Sequence, residues 1–205
     1  MFDMDGTLAD TIPVVMQALG ETFKHFSGRE YTVNEIYAMF GPTEEGVIHG
    51  RVPDADFEAA VTMYVDRYEA LHAAAQPFPG TMELLQELKA RGIHIGVVTG
   101  KGLRTAEVSM RLMGLAPYID RMEVGSHDRV IKPEMMRKLL SEWGVPPHEA
   151  AYVGDMASDM LHARQAGVLP LAAAWAESAT VGENDGAAQV FYSVDELAEW
   201  VKDCI

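Results

Sequence analysis

Strand-like and helix-like segments alternate along the second half of the chain. Strand-like runs at 93–99, 122–124, 150–153 and 169–174 are separated by amphipathic stretches at 102–113, 133–143 and 157–166. A helical pattern at 81–90 precedes the first run, and a helix at 194–201 is announced by the capping box Ser193-x-x-Glu196. This alternation predicts βαβ units, and therefore an α/β fold in which helices cover both faces of a parallel sheet.

The stretch from residue 12 to residue 76 interrupts this alternation. It contains no convincing strand and three or four helical patterns. One of them is an apolar stripe at helical spacing, which predicts core packing: Phe57, Ala60, Val61, Tyr64, Val65, Tyr68 and Leu71. Proline-bearing segments at 11–13 and 77–80 flank the stretch. We therefore expect an α/β core of residues 1–11 and 80–205, interrupted by an all-helical domain of residues 12–79.

The charge balance limits the partners of the chain. Its 205 residues carry 16 Lys and Arg against 31 Asp and Glu, a formal net charge of −15. Nucleic acids and anionic membranes both require a cationic face, so neither is an expected partner. We expect no signal peptide or membrane span. The single cysteine, Cys204, has no intrachain partner, which predicts a cytoplasmic protein, and no oligomeric state is indicated.

Two pairs of acids lie where strands are predicted to end. Asp3 and Asp5 follow an apolar Met1-Phe2 and face the same way if the backbone is extended. Asp155 and Asp159 are four residues apart at a strand-to-helix transition, so they share one helical face. Carboxyl ends of parallel strands meet at one edge of a sheet, where such a cluster would suit Mg²⁺. Simple helix capping by Asp155 and Asp159 is the alternative.

Two further strand ends carry groups that a phosphate needs. Thr99 offers a hydroxyl beside Gly100 and the N–H groups of the following helix, which is a common anion site. Lys132 comes directly before a proline and a helix, where its ammonium could reach the same place. Each element is weak alone. The order Asp-x-Asp, Thr, Lys, Gly-Asp-x-x-x-Asp, with each element at a strand end, is specific.

On these residues the chain resembles the haloacid dehalogenase-like hydrolase superfamily. Its four motifs correspond to Asp3-Met4-Asp5-Gly6-Thr7-Leu8, to Thr99, to Lys132-Pro133, and to Gly154-Asp155 with Asp159. Within the superfamily the chain is most similar to phosphoglycolate phosphatase-like and β-phosphoglucomutase-like proteins. The resemblance implies a Rossmann-like core with an inserted helical cap.

The resemblance also implies a Mg²⁺-dependent phosphatase that acts on a small soluble phosphomonoester, phosphoglycolate-like or a sugar phosphate, through an aspartyl phosphate. Asp3 would be the nucleophile, and Asp5 would protonate the leaving alcohol and then activate water. The acid at position 5 argues against dehalogenation as the reaction, because the dehalogenases of the family lack an acid at this place. The phosphoryl oxygens would be held by Thr99, Gly100 and Lys132. The metal would be held by Asp3, Asp155, Asp159 and the backbone carbonyl of Asp5.

Substrate specificity is expected to come from the cap, where a Gly-Pro loop at 41–42 resembles the substrate-facing loop of phosphoglycolate phosphatase-like proteins. The candidate residues are Thr43, Glu44, His49 and Arg51, and Lys24, Arg29 and Arg67 are further cations for a substrate anion. Thr43 followed by two glutamates is equally the pattern of a helix N-cap. A β-phosphoglucomutase-type mutase and a catalytically silent regulatory homologue stay open as alternatives.

The first strand is predicted to be very short. Met1 and Phe2 provide only about 7 Å of strand before Asp3, at roughly 3.3 Å per residue. A buried central strand usually needs more. We expect either that the natural protein begins a few residues earlier, or that the strand is short and the terminal amine lies close to the site.

Overall fold

A computed structural model describes residues 1–73 and 75–204. In this part of the chain, the first helices are α1 (Ile12–Ser27), α2 (Val33–Tyr37), α3 (Glu44–His49) and α4 (Phe57–His72). Helices and strands then alternate as α5 (Thr81–Ala90), β1 (Gly96–Val98), α6 (Leu103–Leu112), β2 (Arg121–Glu123), α7 (Lys132–Trp143), β3 (Ala151–Gly154), α8 (Ala157–Ala166) and β4 (Leu169–Ala173). The last elements are β5 (Gln189–Phe191) and α9 (Val194–Cys204). No helix in the described residues is both long and apolar enough to cross a membrane.

The strands form a parallel sheet in which the first residues of the chain take the central place. β1 pairs with β2, and β3 pairs with β4, which pairs with β5, all in parallel. Phe2 bridges Val97 on one side and Val153 on the other, and so joins the two groups of strands. Its N–H donates to the Gly96 carbonyl at 2.9 Å, and its carbonyl accepts from Val98 N–H at 2.9 Å. The predicted α/β class is confirmed, and Asp3 leaves the sheet at its carboxyl edge.

Some strand boundaries differ from the expected ones. The run predicted at 93–99 pairs only over Gly96–Val98, because the Ile95 N–H donates to the Asp120 side chain at 2.8 Å instead of continuing the ladder. β5 (Gln189–Phe191) was not predicted: it is as short as β2, but it lies outside the alternation of strands and helices on which the prediction at 122–124 rested. Such short strands are recognised by their neighbours in the sheet rather than by their own sequence.

Helices α1 to α4, called the cap helices below, leave and rejoin the core at one place. α1 packs along α4. The connections run side by side, because Ala9 pairs antiparallel with Pro77 and the Phe78 N–H donates to the Leu8 carbonyl at 3.1 Å. The apolar stripe of α4 packs inward, with Tyr64 and Tyr68 fully buried. This arrangement supports a cap domain of residues 12–79, which stays a prediction.

One hydroxyl joins α4 of the cap helices to α6 of the core. Ser109 Oγ lies 2.8 Å from the Tyr68 hydroxyl and 3.1 Å from His72 Nε2, and it donates to the Thr105 carbonyl at 3.1 Å. A hydroxyl has one proton and two acceptor sites, so Ser109 satisfies all three contacts when Tyr68 and His72 donate. Burial lowers the pKa of His72, which favours the neutral ring, and in the neutral ring this arrangement requires the proton on Nε2.

Replacing this hydroxyl should weaken the docking of the cap helices. Ser109→Ala leaves the Tyr68 hydroxyl and His72 Nε2 buried without a partner, so we expect the free energy of unfolding in urea to fall by about 2 kcal/mol. Ser141→Ala, at an exposed position of α7, is the matched control, because it makes the same change of helix propensity without burying a polar group. Equal effects of the two substitutions would contradict this role of Ser109.

Candidate active site

Three buried carboxylates meet at the carboxyl edge of the sheet. Asp3 follows Phe2 in the central position, Asp155 directly follows β3, and Asp159 lies in the first turn of α8. Each offers a carboxylate oxygen, and these oxygens lie within 4.8 Å of one another. The sequence therefore placed these three acids correctly relative to one another, because parallel strands end at the same edge.

Two glycines make this close approach possible. A Cβ on Gly154 would lie 2.6 Å from the Cβ of Asp159, so a larger residue would push α8 away from the strand. Gly6 has a φ of +74°, and a Cβ there would lie 2.3 Å from Asp155 Oδ2. Glycine is the residue that adopts such a φ without strain. The cluster thus depends on the absence of two side chains as well as on the presence of three.

Lys132 is the cation of this cluster. It is the first residue of α7, and its Nζ donates to Asp3 Oδ2 and to Asp159 Oδ1, each at 2.7 Å. Burial alone would lower the pKa of Lys132, but Asp159 and Asp3 outweigh it and hold that pKa well above its ordinary value. One ammonium against three carboxylates leaves an excess of negative charge when all of them are ionised.

This excess suits a divalent cation. Burial raises the pKa of Asp155 well above its ordinary value, and repulsion from Asp3 and Asp159 raises it further. Burial also raises the pKa of Asp159, although Lys132 opposes the shift. Carboxylate oxygens are the protein ligands that hard divalent cations such as Mg²⁺ and Ca²⁺ prefer. Asp3, Asp155 and Asp159 therefore form a donor set that fits such an ion.

The Asp5 side chain takes part in a second charged cluster. Its Oδ1 accepts a hydrogen bond from the Thr11 hydroxyl, and its Oδ2 lies 3.3 Å from Lys101 Nζ. The side chain of Asp5 is therefore engaged by Thr11 and Lys101, and the role predicted for Asp5 at the metal, through its backbone carbonyl, is compatible with these contacts. Burial raises the pKa of Asp5, and Lys101 only partly offsets it. A carboxyl with a raised pKa is suited to giving and taking a proton.

Lys101 was missed by the sequence analysis. Its Nζ is buried 3.0 Å from Glu44 Oε1 and 4.3 Å from the centre of the Tyr68 ring. Burial would lower the pKa of Lys101, but Asp5 and Glu44 outweigh it and raise that pKa well above its ordinary value. The signal that could have found it is its position, since it follows Thr99-Gly100 at the end of β1.

Glu44 links the cap helices to the core through hydrogen bonds at the start of α6. At the start of α3, its Oε2 accepts from the Gly102 N–H at 2.6 Å, and its Oε1 accepts from the Thr105 hydroxyl at 2.8 Å. Burial would raise the pKa of Glu44, but Lys101 and the Gly102 N–H outweigh it, so the pKa is lowered. Thr43, the neighbouring candidate, accepts from the Gly46 N–H at 3.3 Å and is the N-cap of α3.

A cavity of about 290 Å³ lies between the sheet edge and the cap helices. The predicted site residues that line it are Asp3, Asp5, Glu44, Thr99, Gly100, Lys132 and Asp155. Its lining does not include His49, whose ring packs edge-on against Phe57, or Arg51, whose guanidinium donates to the Val47 carbonyl at 2.9 Å. The cap cations proposed for a substrate anion pair with surface acids instead: Lys24 with Glu30, Arg29 with Glu35 and Arg67 with Glu21.

Comparison with known proteins identifies the family. A sequence model described as haloacid dehalogenase-like hydrolase matches residues 1–173, which include every one of the motif residues above. The chain belongs to the haloacid dehalogenase-like hydrolase family.

Similar proteins include named enzymes of this family. Phosphoglycolate phosphatase 1 of Pseudomonas aeruginosa is 26% identical over 188 residues, which cover 82% of this chain and 66% of that enzyme. The pyrophosphatase PpaX of Bacillus pumilus is 28% identical over 177 residues, covering 85% of this chain and 82% of the enzyme. The crystal structure of CbbY from Rhodobacter sphaeroides in complex with phosphate aligns with a TM-score of 0.80 at 26% identity, covering 96% of this chain and 94% of that one.

The raised pKa values in the carboxylate cluster predict a pH-dependent effect of Mg²⁺ on stability. A folded-state pKa above the unfolded one stabilises the metal-free protein below the unfolded value, and this contribution is lost as the pH rises through the folded value. Mg²⁺ binds the ionised carboxylates, so it should raise Tm more at about pH 8 than at about pH 5. At a Mg²⁺ concentration of roughly 100 times its Kd at pH 8, we expect calorimetry at that pH to show a rise in Tm of about 5–10 °C. The same Mg²⁺ concentration should raise Tm less at about pH 5.

Variants of the cluster provide the control for this prediction. Asp155→Asn should raise the Tm of the metal-free protein, because it removes one of the mutually repelling charges, and should abolish the Mg²⁺ effect. Asp66→Asn, at an exposed position of α4, should change neither. A Mg²⁺ effect that persists in Asp155→Asn would place the ion elsewhere.

The buried contact of Glu44 should contribute far more to stability than an exposed contact between the same parts of the fold. Glu44→Ala leaves the Gly102 N–H and the Tyr64 hydroxyl without their acceptor and removes one of two acids from Lys101, so we expect a loss of about 3–5 kcal/mol in urea unfolding. Glu69→Ala is the matched control, because Glu69 pairs with Arg111 of α6 at 2.8 Å across the same interface, but exposed to solvent. The prediction is wrong if both substitutions cost the same.

Proposed function

We propose that this chain is a Mg²⁺-dependent phosphatase that hydrolyses a small phosphomonoester through an aspartyl phosphate on Asp3. One observation carries the proposal. Asp3 and Asp5 line the same cavity, yet Asp3 contacts Lys132 in the carboxylate cluster and Asp5 faces Lys101 with a raised pKa. Two neighbouring carboxyl groups in different environments can divide the roles of nucleophile and acid–base between them.

In the first step, a carboxylate oxygen of Asp3 attacks the phosphorus in line with the leaving alcohol. The bond between the phosphorus and the ester oxygen breaks, and Asp5 gives its proton to that oxygen. The Thr99 hydroxyl, the Gly100 turn and the Lys132 ammonium, which line the same cavity, would hold the other phosphoryl oxygens. A bound Mg²⁺ would neutralise part of the charge on the transferring group.

In the second step, the acyl phosphate on Asp3 is hydrolysed. Asp5, now ionised, takes a proton from a water molecule as that water attacks the phosphorus. The bond between Asp3 and the phosphorus breaks, inorganic phosphate leaves, and both aspartates return to their starting protonation states. The order of events accounts for the separate environments, because Asp5 must exchange a proton twice while Asp3 exchanges none.

The named relatives support this proposal. One is a phosphoglycolate phosphatase and another a pyrophosphatase, and the CbbY structure holds phosphate. Since these relatives share 26–28% of their residues with this chain, they support the reaction class rather than any one substrate.

Substitution of the two aspartates tests their roles. Asp3→Asn should lower the rate of phosphate release by about 10⁴-fold or more, because the nucleophile is lost. Asp5→Asn should slow turnover by about 10²–10⁴-fold and let the phosphoenzyme accumulate. Phosphate release from a panel of esters with and without Mg²⁺, together with intact mass after mixing with substrate, measures both effects.

Asp10→Asn is the matched control, because Asp10 is exposed and lies near the site without lining the cavity. It should keep the activity of the unmodified protein. Normal turnover in Asp3→Asn would show that another residue is the nucleophile. Release of phosphate from no ester in any condition would favour a catalytically silent homologue.

A further inference from the structure

The cap side of the cavity is an apolar wall. Asp3 and Asp5 lie at the sheet edge, so the leaving group of a bound ester extends from them toward the cap helices. The residues that the cap helices and their connecting loop place there are mostly apolar: Ile12, Val15, Leu19, Phe40, Pro42 and Val47. Val130, Ile131 and Met156 continue this surface on the core side. The Gly41 backbone and Val130 face each other closely, since a Cβ on Gly41 would lie 3.8 Å from Val130 Cγ2.

The charge on this side of the cavity is negative rather than positive. Among the described lining residues, Glu44 is the charged side chain that the cap helices contribute. Its partner, Lys101, is also the ion-pair partner of Asp5. Two acids thus surround one buried ammonium, so the three groups together carry no net positive charge when the acids are ionised.

The remaining cations of the lining are also paired with acids. Lys132 contacts Asp3 and Asp159 and belongs to the phosphoryl end of the cavity. Arg129 lies at the rim with its side chain 64% exposed and 2.8 Å from Glu134. Burial lowers the pKa of His162, which favours its neutral form.

We propose that the substrate is a phosphomonoester of a small, uncharged and mainly apolar alcohol, and not one whose leaving group carries a second anion. This inference rests on the function proposed above. A carboxylate or second phosphate placed against the cap wall would lose water without gaining a cation, which is costly. An alkyl or aryl group there would bury apolar surface, which is favourable. The volume of about 290 Å³ is at the low end for ligand pockets, so the alcohol is small.

Two esters of the same shape test this inference directly. Isobutyl phosphate and phosphoglycolate differ mainly in that an isopropyl group stands in place of a carboxylate. With the full chain and Mg²⁺, we expect kcat/KM for isobutyl phosphate to exceed that for phosphoglycolate by about tenfold or more. Pyrophosphate, the third probe, should also be hydrolysed less efficiently than isobutyl phosphate.

A cap-wall variant shows whether the wall causes this preference. Phe40→Ala should lower kcat/KM for isobutyl phosphate by about tenfold and that for phosphoglycolate by much less, so the ratio between them falls. Phe26→Ala is the matched control, since Phe26 is a half-buried aromatic residue of α1 outside the cavity lining, and it should leave the ratio unchanged. Val15→Thr, nearly the same in shape, is a second wall variant in case Phe40→Ala does not fold.

The outcomes separate this inference from the proposed function. A preference for isobutyl phosphate that is reduced by the wall variants supports both. Phosphate release with a preference for phosphoglycolate or pyrophosphate overturns the inference and leaves the phosphatase intact. A ratio that no wall variant changes also overturns it, because the leaving group would then lie elsewhere. Release from none of the probes overturns the proposed function, and the inference falls with it.

Discussion

The ammonium of Lys132 holds together carboxylates from distant parts of the sequence. Asp3 comes from the first residues of the chain and Asp159 from α8, and each lies 2.7 Å from the same nitrogen. Without a cation between them, buried acids so close together would repel one another or take up protons. Because Lys132 opens α7, its position also fixes the start of that helix against the sheet edge. Lys132 is thus the counter-ion of these acids, and the helix that it begins holds it in place.

Lys101 repeats this arrangement on the other side of the cavity. Lys101 lies in the turn that follows β1, whereas Lys132 begins a helix, but each lysine lies between two acids from separate parts of the chain, in this case Asp5 and Glu44. The first lysine lies between Asp3 and Asp159 of the carboxylate cluster, and the second joins Asp5 to Glu44 of the cap helices. Both lysines are buried and already paired, which leaves the cap side of the cavity to apolar groups. If the substrate proposed above is right, specificity in this site comes from shape and apolar contact.

The sequence could predict the first cluster but not the second. Asp3, Lys132, Asp155 and Asp159 follow elements of a regular alternation, and parallel strands bring such positions together whatever the loops between them do. The Lys101–Glu44 contact depends on how the cap helices dock, and no periodic pattern encodes that docking. Arg51 was a candidate because of its charge, yet its guanidinium caps a carbonyl within its own segment. Local hydrogen bonds of this kind decide which cations stay available, and they become visible only in the folded chain.

The polar character of the cap interface has a further consequence for the cavity. The contacts of α3 and α4 with α6 run through hydroxyl, imidazole and carboxylate groups, such as Ser109, His72 and Glu44. Groups of this kind regain their hydrogen bonds in water, so separating them costs less than separating an apolar interface of the same area. The apolar wall around Phe40, by contrast, loses burial on separation unless a ligand covers it. An apolar leaving group would therefore stabilise the docked position of the cap helices on the core, in which Asp5 reaches the ester oxygen. Substrate binding and docking of the cap helices would then favour the same substrates.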